Sequence, residues 1–131
     1  DAAKLALDNG FTHYSPVPGI PELREAIAVK LREENGLAYS AANIVLANGT
    51  KQAITNAILS VIGPGDEVII LAPYWLSYEA TVTFAGGTSV VLQSSVAEGY
   101  KVPADRIAAA VTDKTKLIII NSPCNPTGAD A

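Results

Sequence analysis

Methionine is missing from this sequence, and cysteine, histidine and tryptophan occur once each. The lone cysteine, Cys124, cannot close an intrachain disulfide, and it removes every metal site built on several thiolates. The lone histidine, His13, likewise excludes the multi-histidine sites of zinc enzymes. With no histidine near Cys124 in sequence to draw off its proton, the thiol reads as a packing group rather than a nucleophile. His13, beside Tyr14 in a loop, reads as solvated.

A basic stripe is also missing. Nine Lys and Arg stand against thirteen Asp and Glu, a net charge of −4, and the basic residues are scattered singly or in loose pairs. Nucleic acid is therefore not an expected partner. No apolar run approaches the roughly 18 residues that a membrane span needs; the run between Lys116 and Asn121 is only strand-sized, so no membrane partner is expected either. No signal-peptide pattern opens the chain, and a single unpaired cysteine fits a reducing cytoplasm, the expected location. There is no internal repeat and no low-complexity tract. The chain opens on Asp1 without an initiator Met and closes on "NSPCNPTGADA"; both ends suggest a piece of something longer.

What is present is enough for a core. The length of 131 residues bounds the chain to at most one domain, and 49% of the residues are apolar. A chain of this size buries roughly 65–70% of its unfolded surface.

The segment "FTHYSPVPGIPELREAIAVKLREENG" runs from loop to helix. Pro16, Pro18 and Gly19 keep its start irregular, and Pro21 suits a first helical turn. Leu23, Ala26, Ile27, Lys30 and Leu31 then follow an amphipathic stripe, along which Lys30 can lay its stem, and Gly36 is a C-terminal stop. Beyond it the pattern alternates. "NIVLA" (43–47) reads as a strand, and "TKQAITNAILSVI" (50–62) as a helix with Ala53, Ile54, Ala57, Ile58, Val61 and Ile62 on one face. "EVIIL" (67–71) is a continuous apolar run, expected of a strand buried on both sides. "WLSYEATVTFA" reads as a helix ended by Gly86-Gly87, "TSVVLQ" as a strand, "PADRIAAAV" as a short helix, and "KLIII" (116–120) as a second fully buried strand. Strands alternating with helices predict an α/β fold: a three-layer, mostly parallel sheet with helices on both faces.

Ligands of such sheets bind outside the carboxyl ends of the strands. Three loops fall there: "NGTK", "APYW" and "NSPCNPTG". In the first, Gly49 permits a tight turn into a helix. The first N–H groups of that helix lack intrahelical partners and favour an anion such as phosphate; Thr50 adds a hydroxyl and Lys51 a charge. The loop is not a Walker A motif, since the upstream glycine is absent and Gln52 stands where Ser or Thr is needed. Trp75 in the second loop is either a packing aromatic or a flat ring for stacking a planar ligand. In the third, Pro126 confines Asn125 to extended or turn geometry, which presents its amide without ordering on binding. Each loop alone reads better as ordinary structure.

Together, and with "YSPVPGIPELREAIA" ahead of them, they are more specific. "GIPELREAIA", "NG-KQA", "PGDEVIILAPYW-SY", "AGG" and "NSP-NPTG" follow one another in an order and at intervals that resemble the class I aminotransferases, enzymes of the aspartate aminotransferase fold that use pyridoxal 5'-phosphate. The resemblance runs through essentially the whole chain. It implies that Gly49, Thr50 and Lys51 hold the cofactor phosphate, mainly through backbone N–H groups. It implies that Trp75 stacks on the pyridine ring and that Asn125 hydrogen-bonds the ring's phenolic oxygen. Tyr14 matches a tyrosine that reaches the phosphate of the other subunit's cofactor, so a homodimer is implied. Pro73 and Pro126 match prolines often preceded by cis bonds, and Tyr74 and Tyr78 read as packing residues. The implied substrates are an amino acid and a 2-oxo acid. In relatives similar to aspartate and prephenate aminotransferases the lysine of this "KQ" pattern approaches an acidic substrate's distal carboxylate, which points toward aspartate or glutamate.

The same resemblance implies parts that this sequence lacks. The family needs a lysine that holds the cofactor covalently and shuttles the α-proton, and no lysine here stands in its serine-rich context. Lys51 sits at the phosphate end and does not fill that role. The aspartate that pairs with the pyridine nitrogen and the arginine that clamps the substrate carboxylate are missing as well. The expected division is 1–36 for an N-terminal loop and helix and 37–131 for the cofactor-binding α/β part, truncated before the catalytic lysine and the small domain. No catalytic residue and no metal ligand is assigned, and the chain by itself is expected to be inactive. Three strands, near Glu67, Thr88 and Lys116, are expected to pair together, which leaves the 116–120 strand as a bare apolar edge prone to aggregation. Other readings are a free-standing phosphate- or nucleotide-binding module, a different pyridoxal-phosphate chemistry such as a C–S lyase, and a non-catalytic structural or regulatory piece.

Overall fold

A computed structural model describes residues 1–130. They fall into two compact units, 1–50 and 51–130.

The first unit opens with a helix, α1 (Ala2–Asp8), which buries none of its side chains; the sequence reading did not anticipate it. Helix α2 (Pro21–Asn35) starts at Pro21 and stops at Gly36, whose left-handed φ of 66° turns the chain out of the helix, as predicted. Its covered face is rotated from the expected stripe. Ala28 is buried with Arg24, Ile27 and Leu31 half-covered, whereas Leu23 and Ala26 are exposed. The cause is Arg24: its guanidinium donates to the carbonyls of Ile44 at 2.8 Å and Ala41 at 2.5 Å, so this position faces inward.

The strand expected over 43–47 does not form. Ala41–Asn43 is a single 3-10 turn, and the residues after it are extended without a ladder among the described residues. A backbone bond from Leu46 N–H to the Pro18 carbonyl at 2.9 Å ties them to the loop before α2. A strand needs a partner for every second residue, and here the neighbour is the irregular turn at Pro18–Gly19. That approach requires glycine. Gly19 has φ +98°, and a Cβ there would lie 2.4 Å from the Leu46 side chain.

The second unit is an α/β layer. Helix α3 (Thr50–Val61) is followed by β1 (Glu67–Leu71), α4 (Ser77–Phe84), β2 (Thr88–Leu92), α5 (Ala104–Ala110) and β3 (Thr115–Ile119). The strands form one parallel sheet in the order β2-β1-β3, flanked by helices. Central β1 is apolar throughout because both of its faces are covered: Val68, Ile69 and Ile70 are all fully buried. Successive side chains point to opposite faces, so Val68 and Ile70 meet Ile58, Ile62, Tyr78 and Val82 from α3, its C-terminal turn and α4.

Strand β3 departs from its expected full burial. Thr115, Leu117 and Ile119 are half-buried, while Lys116 and Ile118 are exposed. An edge strand with one covered face reads as an alternation, and β3 lies at the sheet's edge as expected.

Candidate functional site

Parallel pairing brings the carboxyl ends of β1 and β3 to one edge of the sheet, and the loops that follow them meet there. The loop after β1 is held residue by residue. Ala72 N–H donates to the Leu92 carbonyl at 2.9 Å, and the Ala72 carbonyl accepts from Ser94 Oγ at 2.5 Å. The Pro73 carbonyl accepts the Cys124 thiol at 3.2 Å. Tyr74 donates its hydroxyl to Glu79 at 2.5 Å, and the Trp75 carbonyl accepts from Tyr78 N–H at 3.0 Å. A loop tied at every residue presents its side chains in one fixed arrangement.

Trp75 is the side chain so presented. Its indole stands edge to face with Tyr78, ring centroids 5.6 Å apart and planes at 86°, a favoured aromatic geometry. Tyr78 itself is buried in the core, so the indole rests on the body of the unit, as a packing role for Tyr78 requires. Over the indole lies the ammonium of Lys51, 5.2 Å from the ring centroid, inside the range of a cation–π contact. Lys51 reaches it from the first turn of α3.

The loop after β3 carries Asn125. Its own bonds shape it: Asn125 N–H donates to Asn121 Oδ1 at 2.8 Å, Gly128 N–H to the Cys124 carbonyl at 2.7 Å and Cys124 N–H to the Ala129 carbonyl at 2.8 Å. Cys124, half-buried, thus joins the Asn125 loop to the Trp75 loop, while Asn125 stays exposed. The peptide bonds before Pro73 and Pro126 are cis, as the resemblance implies, and the bond before Pro123 is cis too.

The second unit therefore brings together Lys51, Trp75 and the Asn125 loop. Gly49, Thr50 and Tyr14 belong to the first unit. Gly49 has φ +87°, and a Cβ built there meets nothing within 4 Å; glycine is required by the backbone, and the space before it is open. Thr50, exposed, is the first residue of α3 and is bonded directly to Lys51. Tyr14 is fully solvent-exposed.

Tyr74 does more than pack. The Glu79 carboxylate that accepts its hydrogen bond raises the phenol above its ordinary range, with desolvation and the carboxylate's charge adding to the effect. A sequence signal existed: Glu79 lies in the first turn of α4, one turn beyond the loop that Tyr74 occupies. A small depression beneath the two loops is lined by Leu71, Tyr78, Tyr100, Asn121 and Cys124 among others. Tyr100 comes from after β2, where the sequence reading assigned no role. Among the described residues no helix is long and apolar enough to cross a membrane.

Comparison with known proteins gives this arrangement a setting. The family profile described as aminotransferase class I and II matches residues 1–131. An aspartate/prephenate aminotransferase of Cereibacter sphaeroides is 49% identical over 98% of this chain, and one of Thermus thermophilus is 47% identical over 98%. The solved structure of the Thermus thermophilus aspartate aminotransferase with maleate superposes with a TM-score of 0.94 at 47% identity, covering 98% of this chain. The chain spans about a third of the length of these relatives, 32%, 34% and 34% in turn. The chain belongs to the class I and II aminotransferases.

Proposed function

We propose that this chain is part of a pyridoxal-phosphate-dependent aminotransferase that moves an amino group between an acidic amino acid, aspartate first among them, and a 2-oxo acid. The observation that carries the reading is the meeting of Lys51, Trp75 and the Asn125 loop at the carboxyl edge of the sheet, where α/β folds bind ligands. Family membership supports the reaction class and leaves a free-standing phosphate module without support. The matched relatives carry aspartate and prephenate in their names, and one was solved with maleate, a four-carbon dicarboxylate; both favour an acidic substrate.

The residues present fit the cofactor. A planar aromatic on a tied loop suits its ring, the open φ-positive turn at Gly49 suits close backbone approach by a phosphate, and the donors are those an anion needs. In this reading Gly49, Thr50 and Lys51 hold the phosphate, Trp75 stacks on the ring, excluding water from that face, and the Asn125 amide donates to the phenolic oxygen. Tyr14 serves the phosphate of a second subunit, so the working form is a homodimer, and its setting is the cytoplasm. When bound, the pyridine ring supplies the electron sink for the bond broken at the substrate α-carbon. Lys51 serves by charge, toward phosphate or distal carboxylate, and not as the base.

Titration with pyridoxal 5'-phosphate tests this, followed by the emission of Trp75, the single tryptophan. Saturable quenching that Gly49→Val weakens about tenfold supports the reading. A borohydride-stable adduct specific to Lys51, or quenching indifferent to Gly49, contradicts it.

A further inference from the structure

Lys51 and Trp75 have each been given a ligand to hold, yet they are in contact with one another. The ammonium stands over the indole face at 5.2 Å. It therefore covers surface on which a flat ligand would stack, and it spends on the ring the charge that an anion would need. The depression around Lys51 is lined by Thr55, Ser77, Ala80, Thr81 and Phe84. The hydroxyls of Thr55 and Thr81 are committed to the backbone carbonyls of Lys51 and Ser77. Among the described residues no carboxylate lines that depression, and the contact on record for the ammonium is the indole face.

Resting on the aminotransferase reading, we infer that Lys51 is a latch on Trp75. Without a bound anion the ammonium occupies one face of the indole. A dicarboxylate that pairs with Lys51 draws the ammonium off and uncovers that face, so recognition of the acidic group and exposure of the stacking surface are one event. The exchange is feasible because a cation–π contact at an open site is weak, holding the covered state by about two- to fivefold over the open one. An ion pair between an exposed lysine and a carboxylate is of comparable strength, so a carboxylate ligand at sufficient concentration shifts the balance. By reciprocity, a flat ligand that displaces the ammonium raises the affinity for dicarboxylate by the same factor.

The single tryptophan makes this readable without activity. The experiment measures acrylamide quenching of Trp75 emission in the 131-residue protein, with and without succinate, in the native sequence and in Lys51→Met and Lys51→Arg. The latch predicts that Lys51→Met raises the quenching constant by roughly twofold, one ring face being uncovered, and that Lys51→Arg does not. It predicts that succinate raises the native value toward that of Lys51→Met and leaves Lys51→Met unchanged, while chloride at equal ionic strength changes neither protein. Lys51 is exposed, so its replacement leaves the core intact, and circular dichroism verifies this. Equal quenching in native protein and Lys51→Met overturns the inference. So does a succinate effect that survives in Lys51→Met, a chloride effect as large as succinate's, or no succinate effect at all. Pyridoxal 5'-phosphate titration of the same samples separates the two readings: loss of cofactor binding with the latch intact refutes the cofactor assignment alone.

Discussion

Lys51 and Trp75, the second residue of one helix and the fourth residue after the neighbouring strand, come to 5.2 Å through the fold and not through the sequence. Between them lie the rest of α3 and the whole of β1, and α3 and β1 are held together by Ile58, Ile62, Val68 and Ile70. The core is therefore what sets the site. Truncating Ile70, fully buried at the centre of the sheet, costs about 2–5 kcal/mol. Chemical denaturation of Ile70→Ala reads that loss, and the Trp75 signal should broaden with it.

The indole itself is the surface most exposed to test. Trp75→Leu keeps an apolar side chain but removes the flat ring, and should weaken pyridoxal 5'-phosphate binding about tenfold with a change in melting temperature of only a few degrees. Equilibrium dialysis gives the first quantity and calorimetry the second.

The turn at Gly49 separates backbone strain from crowding. A Cβ there meets no atom within 4 Å, so the whole penalty of Gly49→Ala comes from φ +87°, about 1–2 kcal/mol. Gly49→Asn, which tolerates the left-handed region better, should recover part of it. Thermal unfolding of the two variants orders them.

Tyr74 provides a pH signature. Its phenol is raised by the hydrogen bond to Glu79, so the folded state holds that proton more tightly than the unfolded state does. The bond's contribution is complete below the ordinary tyrosine value, about pH 10, and is lost as pH rises through the higher folded value. Ultraviolet titration should show the Tyr74 phenol ionising above its ordinary range, and Glu79→Gln should lower it.

Much of the fold was legible because its periodicities are local. β1 was delimited to the residue, and α3 and β2 to within one. What failed depended on partners that sequence does not display. The 43–47 segment has strand composition, yet a ladder is a property of two segments, and its neighbour is a proline–glycine turn. β3 has the composition of a buried strand, yet its place at the edge exposes Ile118 and Ile120. The rotation of α2 came from Arg24, an apparently solvent-facing charge that caps carbonyls twenty and seventeen residues away. In the site, Trp75 and Asn125 were visible through loop motifs, whereas the Tyr74–Glu79 bond and the Cys124 link needed coordinates, since each joins residues whose spacing carries no periodic signal.

The bare edge has its own consequence. Ile118, exposed on the same face of β3 as Lys116, leaves an apolar strand open to pairing. Ile118→Lys should reduce light scattering of the concentrated chain and leave Trp75 emission unchanged.

In the proposed reading, loops distant in sequence form one site for a flat, phosphorylated cofactor. Crystallography of the protein with pyridoxal 5'-phosphate tests it most directly. The phosphate should lie at the Gly49–Lys51 turn, the ring against Trp75 and the Asn125 amide at the phenolic oxygen. Cofactor bound away from Trp75, or present only as scattered surface-lysine adducts, would contradict it.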